Sequence, residues 1–296
     1  MHSEDKLKRI EGLFRCPECF EGLERKDDFY ICKNRHKFEI KENIPILLNE
    51  RDRLRFEGIL SSPEGKKMKE VYLPSLKKRL KDLFRPPKIV LNNPEVERKI
   101  KESFRCKGEN TIVLNVGSGV GRMGENVINL EIGVFPDVDV VGNGENLPFI
   151  DESFDVVYSN ALLEHVPEPE LIIKEMYRVL KKEGVIWGFI PFLQPYHGYP
   201  YDYQRYTITG IENLFSRYFR KIETGIWSGP SSAVTWILRD YIKMLIPFSN
   251  REFFRVILNG ILNLLLFPLK YLDYILLKRK DSYTLASVVY FYGKKV

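Results

Sequence analysis

The sequence predicts an α/β fold: a doubly wound, mostly parallel seven-stranded sheet, with a small ribbon at its amino end and a helical insertion before its last strand. Three observations carry this. Residues 112–116 form a short apolar run of the kind a buried parallel strand shows, and they lead straight into Gly117, Ser118, Gly119, Val120 and Gly121. Strand-like runs then recur (VINLEI, VDVV, FDVVYS, VIWGFIP, FRKIETGIW, TLASVVYFYGKK), with a helix-period segment at 170–181 among them. Ahead of all this, three cysteines and a histidine are packed into residues 16–36.

Composition sets the class. At 296 residues, 44% hydrophobic and 29% charged, the chain is globular and long enough for a sizeable core. The net charge of +6 is local, since residues 51–107 hold 17 basic and 8 acidic side chains. Such a basic collar suits an anionic partner, nucleic acid or lipid headgroups, or is a solvated helical connector. The stretch MHSEDKLKRIEG lacks the apolar region of a signal peptide. Clustered cysteines point to metal in a reducing compartment rather than to disulfides, so a cytoplasmic location is expected.

Residues 1–50 read as a separate ribbon. Cys16 and Cys19 form one knuckle, Cys32 and His36 a second, and two such turns supply the four soft or borderline ligands of a tetrahedral zinc site. About fifty residues bury little core, and structural zinc is worth on the order of 10–16 kcal/mol to such a unit. From Cys16 to about Leu48 the segment resembles the zinc finger of large-subunit rRNA guanine-N1 methyltransferases, and its ending IPILL resembles the small ribbons that activate RNA and protein methyltransferases. Those resemblances imply bound Zn(2+), and either RNA contact or a partner platform.

Residues 51–107 read as a basic helical linker broken by Pro63, Pro74, Pro86, Pro87 and Pro94. Leu73, Leu76, Leu80 and Leu83 have helical spacing, the pattern of an amphipathic helix beside a cleft. Cys106 reads as a buried or spare thiol.

The third region is 108–296. Gly119, Gly121 and Gly124 satisfy the dinucleotide pattern G-x-G-x-x-G, but the next strand begins too soon for the long helix that pattern opens. Taken in order, TIVLNVGSGVG, NLEIG, NGENLPFIDESFDVVYSNALLEHV and MYRVLKKEG resemble the cofactor half of class I S-adenosylmethionine (SAM) methyltransferases, the broad family that includes quinone-biosynthesis enzymes. The resemblance runs from about Thr111 to Pro191. It implies that Gly117, Ser118, Gly119 and Gly121 pass beneath the methionine and ribose of SAM and that Glu131 accepts from the ribose diol. It places Asn143, Gly144 and Leu147 at the adenine, and Asn160 at the end of the fourth strand, beside the cofactor. Asn115 and Asn143 stand where the family has acids. Asn143 keeps a carbonyl acceptor, but the pocket is less acidic toward a sulfonium, which leaves room for a non-catalytic scaffold.

Pro169 suits the first turn of helix 170–181, whose expected apolar face is Leu171, Ile172, Met176, Val179 and Leu180. KKEG then turns the chain into the fifth strand, and the last two strands are expected as an antiparallel pair. Between strands five and six, residues 191–207 crowd five tyrosines with His197, Asp202 and Arg205. His197 is the candidate base for an O- or N-nucleophile, Asp202 its orienting partner or a substrate ligand, and Arg205 a holder of an anionic group; alternatively the loop packs as a lid. His165 reads as structural. The loop's wording resembles uncharacterised methyltransferases found with surface-polysaccharide functions, which implies a glycan or glycolipid acceptor. The insertion at 228–282 is apolar but interrupted, with no run of the ~20 apolar residues a spanning helix needs. It fits an amphipathic pair that packs on the core, meets a partner, or lies in a membrane interface through 252–280. The functions to weigh are methyl transfer to a glycan or lipid-linked acceptor, methylation of an RNA base held by the ribbon and residues 51–107, and a scaffold without catalysis.

Overall fold

A computed structural model of the protein describes residues 3–60, 88–135, 137–198, 201–246 and 252–296. Its strands form one eleven-stranded mixed sheet in the order β1-β2-β3-β4-β7-β6-β5-β8-β9-β11-β10, which corrects the expected seven. The seven strands of the third region are all there. Parallel strands β7 (Val140–Gly142), β6 (Val127–Glu131), β5 (Val113–Val116), β8 (Phe154–Asn160) and β9 (Leu180–Pro191) run to an antiparallel end, where β11 (Val288–Lys294) lies between β9 and β10 (Arg220–Ser228). The other four strands come from the ribbon: β1 (Leu23–Lys26), β2 (Phe29–Cys32), β3 (Lys37–Lys41) and β4 (Ile44–Leu47). Glu42 and Asn43 both have positive φ, as a two-residue turn between β3 and β4 requires. β4 then pairs in parallel with β7, Ile46 opposite Val141, and covers an edge that would otherwise leave its backbone groups open.

Strand residues alternate between two cores. One face carries Leu114, Ile128, Val140, Val157, Ile186 and Phe291. Over it lie α1 (Ser3–Ile10) through Leu7 and Ile10, α4 (Pro169–Val179) through Ile172, Ile173, Met176 and Val179, and α5 (Ile208–Phe215) through Ile211 and Phe215. On α4 the expected face is corrected in phase: Leu171 is exposed and Ile173 is buried. The opposite face, with Val113, Val156, Trp187 and Tyr290, is covered by Val96 and Ile100 of α3 (Pro94–Ser103), whose N-cap Asn93 accepts from the Glu95 N–H. Of the predicted linker, α2 (Glu50–Leu60) and α3 are described; the leucine pattern at 73–83 lies outside the described residues. Cys106 is exposed.

Strict strand–helix alternation does not hold. Among the described residues no helix occupies the connections 117–126, 132–139 or 143–153. Part of the cover comes from α1 instead. Lys6, 1% exposed, donates to the Gly124 and Val127 carbonyls at 3.1 and 2.9 Å and lies 3.9 Å from the Asp139 carboxylate. Burial lowers its pKa, and those partners are what keep a buried ammonium tolerable.

The insertion comprises α6 (Pro230–Leu245), α7 (Glu252–Leu266), a 3-10 segment Phe267–Leu272 and α8 (Asp273–Leu276). Its buried anchor is Asp273, which accepts from the Ser231 and Ser232 N–H groups at 2.8 and 3.0 Å and from the Ser232 hydroxyl at 2.8 Å, capping α6 from a distance. Gly229 makes room for it, since a Cβ there would lie 2.5 Å from the carboxyl group. Much of the remainder is apolar and exposed, including Met244, Leu245, Ile257, Ile261, Leu264, Leu265, Leu272 and Ile275. Among the described residues no helix is long and apolar enough to cross a membrane.

Candidate functional site

The carboxyl edge of a doubly wound sheet is where its strands release their loops toward a ligand. Gly117 follows β5 with φ 67°, and a Cβ there would meet Leu162 at 2.7 Å, so both conformation and space demand glycine. Gly119 and Gly121 also have positive φ, 57° and 110°. The Ser118 N–H donates to the Leu130 carbonyl at 3.1 Å. Glu131, at the end of β6, holds the loop: its two carboxylate oxygens accept from the Gly119 and Ile132 N–H groups, each at 2.8 Å. Burial raises its pKa against the pull of those two donors. Each oxygen keeps a second lone pair, the acceptor capacity a ribose diol needs.

The two asparagines differ in what they touch. Asn115 donates across the β5–β6 pair to the Asn129 side chain at 3.1 Å, and Asn129 donates onward to the Gly121 and Asp137 carbonyls at 3.1 and 2.8 Å. Asn115 thus anchors the back of the glycine loop. Asn143 accepts from the Glu145 N–H at 2.9 Å and donates to the Asp52 carboxylate at 3.0 Å. Asp52 sits on α2, 6% exposed, and burial raises its pKa. Sequence reasoning missed it, because nothing local ties position 52 to position 143. Gly144 faces Ile172, with Cβ space of 3.3 Å. Leu147 is buried and its N–H donates to Glu175 at 2.9 Å. Asn160 is the exposed last residue of β8.

In the ribbon, donor atoms of Cys16, Cys19, Cys32 and His36 all lie within 4.8 Å of one another. Cys19 and Cys32 sulfurs are 3.6 Å apart, and His36 Nδ1 is 3.6 Å from Cys16 Sγ and 3.4 Å from Cys32 Sγ. A tetrahedral zinc with ordinary bond lengths separates sulfurs by about 3.8 Å and sulfur from nitrogen by about 3.5 Å. The donor set therefore fits zinc in both chemistry and size. The ribbon is bound tightly to the rest: Phe14 packs between Tyr30 and Phe149 (centroids 5.1 and 5.7 Å), and Arg15 meets Glu175 at 3.3 Å.

Residues 191–207 bring the three predicted side chains together. The Asp202 carboxylate accepts from the backbone N–H of His197 at 2.9 Å, not from its ring, and from both terminal nitrogens of Arg205. That guanidinium beside it holds Asp202 down at about 2. Arg205 also donates to the Gln204 and Pro195 carbonyls at 2.9 and 3.1 Å, so its charge is turned into the loop. His197 Nδ1 donates to the Pro195 carbonyl at 3.0 Å, leaving Nε2 directed to Glu164 Oε1 at 3.6 Å. The Glu164 carboxylate raises the His197 pKa. His165, read as structural, is part of the same group: its Nδ1 donates to the Tyr201 carbonyl at 2.6 Å and its Nε2 lies 3.8 Å from the same Glu164 oxygen. The insertion reaches this loop through Trp236 of α6, whose ring centroid is 5.8 Å from that of His197.

Fold and edge together give an α/β domain with three positive-φ glycines and the Glu131 carboxylate at the carboxyl ends of β5 and β6, and an aromatic, histidine-bearing loop after β9. Residues 114–188 match the sequence profile of a family described as a methyltransferase domain. The chain is 36% identical over 90 residues to an uncharacterised protein of Methanocaldococcus jannaschii, a stretch covering 26% of this chain and 43% of that one. It is 37% identical over 81 residues to a demethylmenaquinone methyltransferase of Alkalihalophilus pseudofirmus, covering 27% and 29%. The chain thus spans less than half the length of these relatives. A solved structure of a Haemonchus contortus phosphoethanolamine N-methyltransferase with S-adenosylhomocysteine overlaps 67% of this chain and 52% of its own, with 16% identity and a TM-score of 0.40.

Proposed function

We propose that this chain is a SAM-dependent methyltransferase acting on an O- or N-nucleophile of a lipid-linked or glycan acceptor at a membrane surface, with zinc in its ribbon. The observation that carries the cofactor is the strand-end arrangement: three glycines of positive φ after β5, with Glu131 gripping their loop and keeping acceptor capacity toward a diol. The family match over 114–188 supports the same reading. Transfer from a sulfonium is an in-line displacement. The nucleophile's lone pair forms the new bond to carbon, the carbon–sulfur pair leaves with S-adenosylhomocysteine, and the nucleophile sheds a proton. The protein's work is alignment and that proton. Glu164, His165 and His197 are the groups at the loop able to receive or displace it.

The acceptor class rests on the many exposed apolar residues of α6–α8, an insertion that meets that loop through Trp236 of α6. Lys278, Arg279 and Lys280 border it with positive charge. The ribbon and the basic residues of 51–107 support the second reading, an RNA base as acceptor.

Titration calorimetry with SAM tests the cofactor: binding in the micromolar range is expected, and no heat at high micromolar SAM would leave only the scaffold reading. Co-sedimentation with anionic vesicles and with RNA over a salt series tests the acceptor class. Vesicle binding that survives salt supports the lipid surface. RNA binding that falls steeply with salt, with no vesicle binding, would transfer the case to RNA.

A further inference from the structure

Glu164 presents a problem that the reaction above does not solve. Its side chain is fully buried, and neither carboxylate oxygen has a hydrogen bond. A buried carboxylate in that condition is expensive unless a positive charge sits against it. What faces it is a pair of imidazoles, neither within hydrogen-bond distance of its oxygens. His165 Nδ1 and His197 Nδ1 each donate to a backbone carbonyl, Tyr201 and Pro195, and each Nε2 faces Glu164 Oε1, at 3.8 and 3.6 Å.

We infer that Glu164, His165 and His197 form a site for a divalent first-row transition-metal cation, distinct from the ribbon. Two imidazole nitrogens and one carboxylate oxygen, all within 4.8 Å of one another, are the donor set that zinc, manganese or iron(II) takes. Donors at about 2.1 Å from a tetrahedral ion lie about 3.4 Å apart, so the two distances from Glu164 Oε1 to the imidazoles, 3.8 and 3.6 Å, need to shorten by only a few tenths of an ångström. The carbonyl partners on Nδ1 are what metal-bound histidines ordinarily have, because they fix the ring and the tautomer. Neighbouring charge permits a cation. The Arg205 guanidinium, 3.3 Å from His197 Nδ1, is matched by Asp202, which leaves the Glu164 charge to be met. Three protein donors leave a coordination position open. Since Glu164 is fully buried and the imidazoles are 19% and 27% exposed, that position lies on the solvent side. With a cation held, His197 is a ligand and not a base. The site stands on this geometry whether or not SAM is the cofactor.

The test is cobalt(II) added to the full chain as purified. One equivalent should bind with visible d–d bands and no near-ultraviolet thiolate-to-cobalt charge transfer, since no sulfur is present; cobalt entering the ribbon brings that charge transfer and is counted apart. Glu164→Gln and His165→Ala should each weaken the sulfur-free event by about 100-fold or more, beyond what the loss of a supporting hydrogen bond costs a metal site. Circular dichroism melts would show that the variants are folded. Uptake accompanied only by thiolate charge transfer, or no uptake, overturns the site and shows that protons alone serve Glu164. Sulfur-free uptake that persists in either folded variant overturns the ligand assignment. If neither variant folds, the wild-type count decides.

Discussion

The ribbon and the apolar insertion are both additions to the same sheet, but they join it by different means. The ribbon brings backbone: β4 lies along β7, its four residues are all buried, and Phe14, Leu23, Tyr30 and Phe38 enter the core under the central strands. The insertion brings mostly side chains. Asp273 is fully buried and Leu262 nearly so, while Leu264 and Leu265 remain 60% and 67% exposed. An added segment that completes an open sheet edge becomes part of the core, because the hydrogen bonds it supplies have no other donor. A segment held by a cap and a few buried side chains keeps much of its apolar face available.

Metal removal should break this comparison most sharply. Structural zinc is worth on the order of 10 kcal/mol, comparable with the whole stability of a domain, about 5–15 kcal/mol. Because β4 is part of the common sheet, Cys16→Ser, or stripping the wild type with a chelator, should lower the melting temperature of the entire protein by more than about 10 °C in one cooperative transition. Two separated transitions, with the second unchanged, would make the ribbon an independent unit after all. On the insertion side, Asp273→Ala removes the acceptor for two backbone N–H groups and a hydroxyl and should cost about 2 kcal/mol in urea denaturation. A loss near zero would mean that the insertion is held by something other than that cap. The smallest effect on stability is expected at Leu265→Ser, within about 0.5 kcal/mol, while vesicle partitioning should fall about tenfold, as the loss of one buried leucine implies. A melting temperature several degrees lower, with unchanged partitioning, would show that this face packs against the protein itself.

Much of this was legible from local pattern. The glycine loop, the short apolar strands around it and the two pairs of metal donors each announce themselves within a few residues, whereas the antiparallel closing pair, β10 and β11, was expected only from the fold that the loop implies. What was hidden depended on distance. The four apolar residues of β4 were themselves a signal, since an unbroken apolar run marks a strand buried on both faces, but their partner β7 lies nearly a hundred residues on. Asp52 left no trace, because its meaning comes only from Asn143. His165 read as structural for the same reason: its relation to His197 is made by the fold, through one oxygen of Glu164. On α4 the error was one of phase, with Leu171 and Ile173 competing for the same stripe on a short helix.

The seat of α1 sets an order of events. Lys6 and Leu7 are synthesised long before Val127 and Asp139, the residues that receive them, so the helix must wait through the making of the ribbon and the linker. The contacts that close this face of the sheet are among the most distant in sequence, and distant contacts are slow to find. Helix α1 is therefore seated only once the strands that receive it have been made.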